Sequence, residues 1–74
     1  MKAFKTYILD KGNYKNLKSV SLECITKFTS KFNGYTLISE LYKKDYAILS
    51  FSNGVTIVIR EENKYYKIDF ERIY

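Results

Sequence analysis

Seventy-four residues with a net charge of +5 and a pI near 9.3 have room for one small domain, residues 1–74, and no second one. Apolar residues at 46% and charged residues at 28% exclude a disordered polyelectrolyte. The chain has no Pro, no Trp and no His, and the missing histidine removes the commonest acid–base catalyst and metal ligand.

The charge is unevenly spread. The first half carries Lys2, Lys5, Lys11, Lys15, Lys18, Lys27 and Lys31 against Asp10 and Glu23, whereas bases and acids balance from residue 38 onward. Lys11, Lys15, Lys18, Lys27 and Lys31 form the candidate basic patch. Such a patch attracts phosphates or acidic protein through a field that salt weakens. Cys24 is the only cysteine, so no internal disulfide forms and no metal-type Cys pair exists. No apolar run reaches the ~18–20 residues of a membrane span. Lys2, Lys5 and Asp10 interrupt the N-terminal apolar stretch, unlike a secretory signal. A cytoplasmic protein without a cofactor and without membrane attachment is expected.

Ala3 to Leu9 is β-branched and aromatic enough for a first strand, and Asp10-Lys11-Gly12-Asn13 breaks it with turn-forming residues. From Ser19 to Phe32 the helical period gathers Leu22, Ile25, Phe28, Thr29 and Phe32 into one stripe. Ser19 is the expected N-cap, Gly34 the expected stop, and Glu23 precedes Lys27 by the four residues that favour a helical ion pair.

From Tyr35 onward the pattern is β. Asn53-Gly54 between two apolar runs predicts a two-residue hairpin loop, pairing Ile48 with Ile59. A second loop at Glu62-Asn63 places Ile57 opposite Ile68. Tyr46, Ile48, Val55, Ile57, Ile59, Tyr66, Ile68 and Phe70 then share one face, joined by Leu37 and Leu41 if Lys43-Lys44 is also a loop. The predicted fold is α+β: an N-terminal strand, one amphipathic helix, then a four-stranded antiparallel meander with the helix packed on one face.

The other face would be open. Ile38, Leu49 and Val58 are expected side by side on it, with Phe51 next to Leu49 and a rim of Tyr42, Tyr65, Arg60 and Lys67. An apolar row with a Tyr and Arg rim suits a protein-contact surface, for a different partner or for a homodimer, unless the first strand folds over it within the monomer. Tyr rings on an open sheet also suit nucleic-acid bases, although Asp69 and Glu71 fall on the same face.

Catalytic patterns are sparse. Cys24 has no His to activate it. Glu62-Asn63-Lys64 fits the final E-x-K of metal-dependent nucleases but lies in a predicted turn. Asp69 and Glu71 alternate on one face without a third cation ligand. Small size, basic charge and C-terminal strands bearing Arg60, Tyr65, Tyr66 and Arg72 resemble, in general type, the RelE-type ribosome-dependent RNases, whose helical hairpin this chain lacks room for. A short, proline-free, Lys- and Tyr-rich domain also resembles phage and mobile-element accessory proteins, anti-CRISPR inhibitors among them. That resemblance implies a non-catalytic protein that occludes a surface on a larger partner, such as a host nucleoprotein or defence complex.

Overall fold

The computed structural model describes residues 3–13, 16–31 and 36–72; the side chains of Phe4, Asn13, Phe28, Thr29, Ser30 and Lys31 lie outside the description. Strand β1 (Ala3–Asp10) leads through a 3-10 turn (Lys11–Asn13) into helix α1 (Leu17–Lys31). Four strands follow: β2 (Leu37–Tyr42), β3 (Tyr46–Phe51), β4 (Val55–Glu61) and β5 (Tyr65–Arg72). All five strands form one antiparallel sheet in the order β1-β5-β4-β3-β2. The meander of β2 to β5 is as the sequence predicts. The sheet is nonetheless one strand wider, because β1 pairs along the edge of β5.

Helix α1 and its cap lie three residues earlier than the expected N-cap implies. Asn16, not Ser19, is the cap: its side-chain oxygen accepts the Ser19 backbone N–H at 2.9 Å and the Ser19 hydroxyl at 3.1 Å. This satisfies an amide that the first helical turn leaves unpaired. The buried stripe is Leu17, Val20, Ser21 and Cys24, while Leu22 is 51% exposed, so the helix is rotated from its predicted orientation. Ser21 is tolerated inside because its hydroxyl donates to the Leu17 carbonyl at 2.8 Å. Ile25 packs at the stripe's margin. The Glu23–Lys27 pair forms at 3.5 Å. Phe32 and the Gly34 stop fall outside the described residues.

The decisive departure lies in the β3–β4 hairpin. Ala47 stands opposite Ile59, Ile48 opposite Val58 and Leu49 opposite Ile57, one residue out of the predicted register. The loop has three residues, Ser52-Asn53-Gly54, closed by the Gly54 N–H donating to the Phe51 carbonyl at 3.2 Å. Only Gly54 has positive φ, at 86°, among the described residues. A two-residue type I′ turn needs it at both central positions; a type I turn followed by one left-handed residue needs it once. A one-residue slip turns every side chain of a strand over. Ala47, Leu49 and Phe51 therefore face α1, and Tyr46 and Ile48 face away.

The other turns move without that inversion or inherit it. The β4–β5 turn is Asn63-Lys64, with the Glu62 N–H donating to the Tyr65 carbonyl at 2.9 Å. Ile59 pairs with Ile68 and Ile57 with Phe70, a two-residue shift that keeps Tyr66, Ile68 and Phe70 on the helix side. The β2–β3 turn is Lys44-Asp45, with Lys43 N–H bonded to the Tyr46 carbonyl at 2.8 Å. Leu41 pairs with Ile48 and so shares its face, away from α1.

The core beneath α1 combines Leu17, Val20 and Cys24 with Ala47, Leu49, Phe51, Val55, Ile57, Ile59, Tyr66 and Ile68. The helix packs on β3 and β4. Toward β1, Tyr7 meets Phe70 edge to face, ring centres 5.6 Å apart. Both edge strands carry a register irregularity, between Ala3 and Lys5 in β1 and between Leu37 and Ser39 in β2. Irregular edges resist further strand pairing. No helix among the described residues is long and apolar enough to cross a membrane.

Candidate functional site

The face of the sheet turned away from α1 has no described element lying over it. Its composition follows from the four registers. One row across all five strands reads Leu41, Ile48, Val58, Asp69, Thr6. Beside it runs Tyr46, Arg60, Lys67, Ile8, and on the other side Ser39, Ser50, Thr56, Glu71. Tyr65 precedes Lys67 on the same face of β5, opposite Asp10.

Of the residues the sequence assigns to this surface, Val58, Tyr65, Arg60 and Lys67 are brought together here. Leu49 and Phe51 are not: they are 0% and 2% exposed, on the helix side of the core. Tyr42 is also on the helix side, where its hydroxyl donates to Glu40 Oε1 at 2.6 Å and Lys18 Nζ lies 4.4 Å from its ring centre. Burial first, then the hydrogen bond and charge of Glu40, pushes the Tyr42 hydroxyl up to about 12. Ile38 is exposed at the β2 irregularity on the sheet's edge. The expected row of Ile38, Leu49, Phe51 and Val58 therefore does not exist. Leu41, Ile48 and Val58 replace it, with Tyr46 and Ile8 on its flank.

This strip is apolar and unevenly accessible. Leu41 and Ile8 are exposed, Ile48 and Tyr46 half-buried, and Val58 buried between its neighbours. Next to it, Arg60 stands directly opposite Lys67, both exposed. Like charges facing each other across a ladder destabilise it, by an amount of the order of the ~0.2–1 kcal/mol that opposite charges contribute. Neither cation forms an ion pair with a described residue. Two acids on this face are engaged otherwise. Asp69, 8% exposed, accepts the Thr6 hydroxyl at 2.7 Å, and Asp10 accepts the Gly12 backbone N–H at 2.8 Å.

The basic patch is dispersed. Lys11 Nζ pairs with Glu61 at 2.8 Å and lies 5.7 Å from the Tyr66 ring centre, beside the β4–β5 hairpin. Lys18 sits at the opposite edge of the sheet, over β2, and Lys27 is held by Glu23. Lys31 ends α1, and Lys15 lies outside the described residues. Arg60, Tyr65, Tyr66 and Arg72, on which the expected likeness to RelE-type RNases rests, are not gathered on one face either. Tyr66 is buried on the helix side, whereas Arg60 and Tyr65 are on the opposite face. Burial lifts the Cys24 thiol to about 11, with the Glu23 charge acting in the same direction, so the thiolate is disfavoured.

Comparison with known protein families, curated proteins and solved structures finds no match to this chain.

Proposed function

We propose that this chain is a small, non-catalytic binding protein that docks the open face of its sheet on a larger partner and occludes a surface there. One observation carries this reading: the strip Leu41–Ile48–Val58, flanked by Tyr46, Tyr65 and Ile8 and bordered by Arg60 and Lys67, lies where no described element covers it. Aliphatic side chains with Tyr and Arg at their border are the composition that contact surfaces favour, since Tyr and Arg bury large area behind a polar tip. The mode of action is that of phage-type inhibitors of host nucleoprotein or defence complexes, working in the cytoplasm. Direct nucleic-acid binding by the lysine-rich half has less support, because Lys11, Lys18 and Lys27 are spread over three places and each already meets an acid or a ring.

The test is affinity capture from host lysate with matched variants. Leu41→Glu and Ile48→Glu place a charge in the strip, and Leu22→Glu places one on the exposed side of α1. A partner retained by the wild type and by Leu22→Glu, and lost from both strip variants, supports the assignment. Retention by all four proteins removes the open face from the binding surface.

A further inference from the structure

The open face has a chemical preference that its apolar strip alone does not explain. We propose that Arg60 and Lys67 together receive carboxylates, so that the docking segment of the partner carries one or two Asp or Glu side chains next to aliphatic ones. This rests on the open face being the binding surface.

The cation pair is the starting point. Arg60 and Lys67 occupy directly opposed positions of the β4–β5 ladder, exposed and without an ion pair to any described residue. Where acids and bases do meet among the described residues, as in Lys11–Glu61 and Lys27–Glu23, they lie away from this pair. The Asp69 carboxylate, one step along β5 on the same face, is turned to the Thr6 hydroxyl instead. The register thus places two positive charges side by side, and the Asp69 acid along the same strand is taken up by a neutral donor. A carboxylate held between a guanidinium and an ammonium makes charge-assisted hydrogen bonds to both, and a guanidinium can receive both of its oxygens. The neighbouring side chains, Tyr46 beside Arg60 and Ile8 beside Lys67, shield such a contact from water.

A protein segment fits better than a nucleic-acid strand. Glu71 lies at one end of the face, and Asp10 and Glu62 lie at the hairpin end beyond Tyr65. A phosphate backbone crossing the face meets these carboxylates before and after the cation pair and is repelled by them. A segment with one or two carboxylates is not, and its aliphatic side chains cover Leu41, Ile48 and Ile8. Specificity then comes from the pair as much as from its acidic border, which rejects longer polyanions.

A displayed random-peptide library selected on the purified chain reads this preference directly, whatever the identity of the partner. The wild type is expected to enrich peptides with Asp or Glu adjacent to Leu, Ile or Val. The double variant R60Q/K67Q is expected to lose the acidic enrichment, keep the aliphatic one and bind wild-type-selected peptides at least tenfold more weakly. Leu41→Glu, at an edge position that tolerates charge, is expected to lose both. Circular dichroism melts establish that each variant folds. Acid-poor peptides from the wild type, or the same peptides from wild type and R60Q/K67Q, overturn the carboxylate assignment; if Leu41→Glu still loses them, the open face remains the docking surface. A wild type that selects no peptides overturns both. Retention of a single-stranded oligonucleotide that depends on Arg60 and Lys67 overturns the proposal in favour of phosphate.

Discussion

Leu49 and Ile57 face each other across the β3–β4 ladder, both at 0% exposure beneath α1. That pairing decides which side of the sheet is core. Adjacent to Leu49, Ile48 is half-buried on the other side, opposite Val58. The two positions should respond very differently to truncation. Leu49→Ala removes buried methyl groups and leaves a cavity, costing about 2–5 kcal/mol. A domain of this length has roughly 4–11 kcal/mol in total, so a large part of its stability goes. Ile48→Ala should cost under about 1.5 kcal/mol, because its side chain is only partly withdrawn from water and leaves no closed cavity. Urea unfolding of both variants checks this, and equal losses would mean that the two faces are not distinguished as described.

Gly54 is the device that sets this register. With φ at 86°, it takes the left-handed conformation that a side chain resists, and its N–H closes the turn onto Phe51. Gly54→Ala should destabilise by about 1–2 kcal/mol, the cost of a non-glycine residue in that region. Asn53→Ala should cost less, because that residue does not carry positive φ. Comparing the two urea midpoints tests the three-residue loop directly, since a type I′ turn would make both positions equally sensitive.

The same turn explains what was legible in the sequence. Asn-Gly is compatible with two loops that differ by one residue, and the strand Tyr46-Ala47-Ile48-Leu49-Ser50-Phe51 is apolar on both faces. Nothing in the alternation chooses between Ile48 and Leu49 for the core. Strand β5 alternates more strictly, with Tyr66, Ile68 and Phe70 separated by Lys67 and Asp69, so a two-residue error left its faces correct. The β4–β5 part of the candidate site, Val58, Arg60, Tyr65 and Lys67, is therefore readable in the sequence, whereas Leu49, Phe51 and Tyr42, expected on the open face, lie on the helix side. In α1 the hydropathy pattern favoured Leu22 over Ser21. It could not register that the Ser21 hydroxyl finds its partner inside the helix, at the Leu17 carbonyl.

Strand β1 is attached to the sheet by its ladder to β5 and by a side-chain bond that sequence pattern does not reveal. The Thr6 hydroxyl donates to Asp69 at 2.7 Å, and Asp69 is only 8% exposed. Thr6→Val keeps the shape and β-propensity of the side chain but leaves the carboxylate short of a donor. A loss of about 1–2 kcal/mol is expected, since an under-satisfied buried acceptor costs more than a hydrogen bond contributes on average. Amide exchange should also quicken in β1 before it does in β3 or β4. Unchanged exchange in β1 would show that the backbone ladder alone holds the strand.

Alkaline pH should weaken the fold through Cys24. The thiol titrates near 9 in the unfolded chain and near 11 in the folded one, because burial disfavours the thiolate. Between those values the unfolded state holds fewer protons than the native state, so stability falls as pH rises. The contribution is intact below about pH 9 and lost through pH 11, a decline of roughly 2–3 kcal/mol. Tyr42, pushed up from 10 to about 12 by burial and by Glu40, acts in the same direction and extends the decline to higher pH. Urea midpoints at pH 8, 10 and 11 should fall steadily for the wild type. Cys24→Ala should flatten the portion between pH 9 and 11 and leave the Tyr42 portion in place. Below pH 9 a thiol reagent should modify the native chain far more slowly than the urea-unfolded one. Rapid native-state labelling, or parallel pH profiles for wild type and Cys24→Ala, would place this side chain outside the core formed by Leu17, Val20 and the sheet.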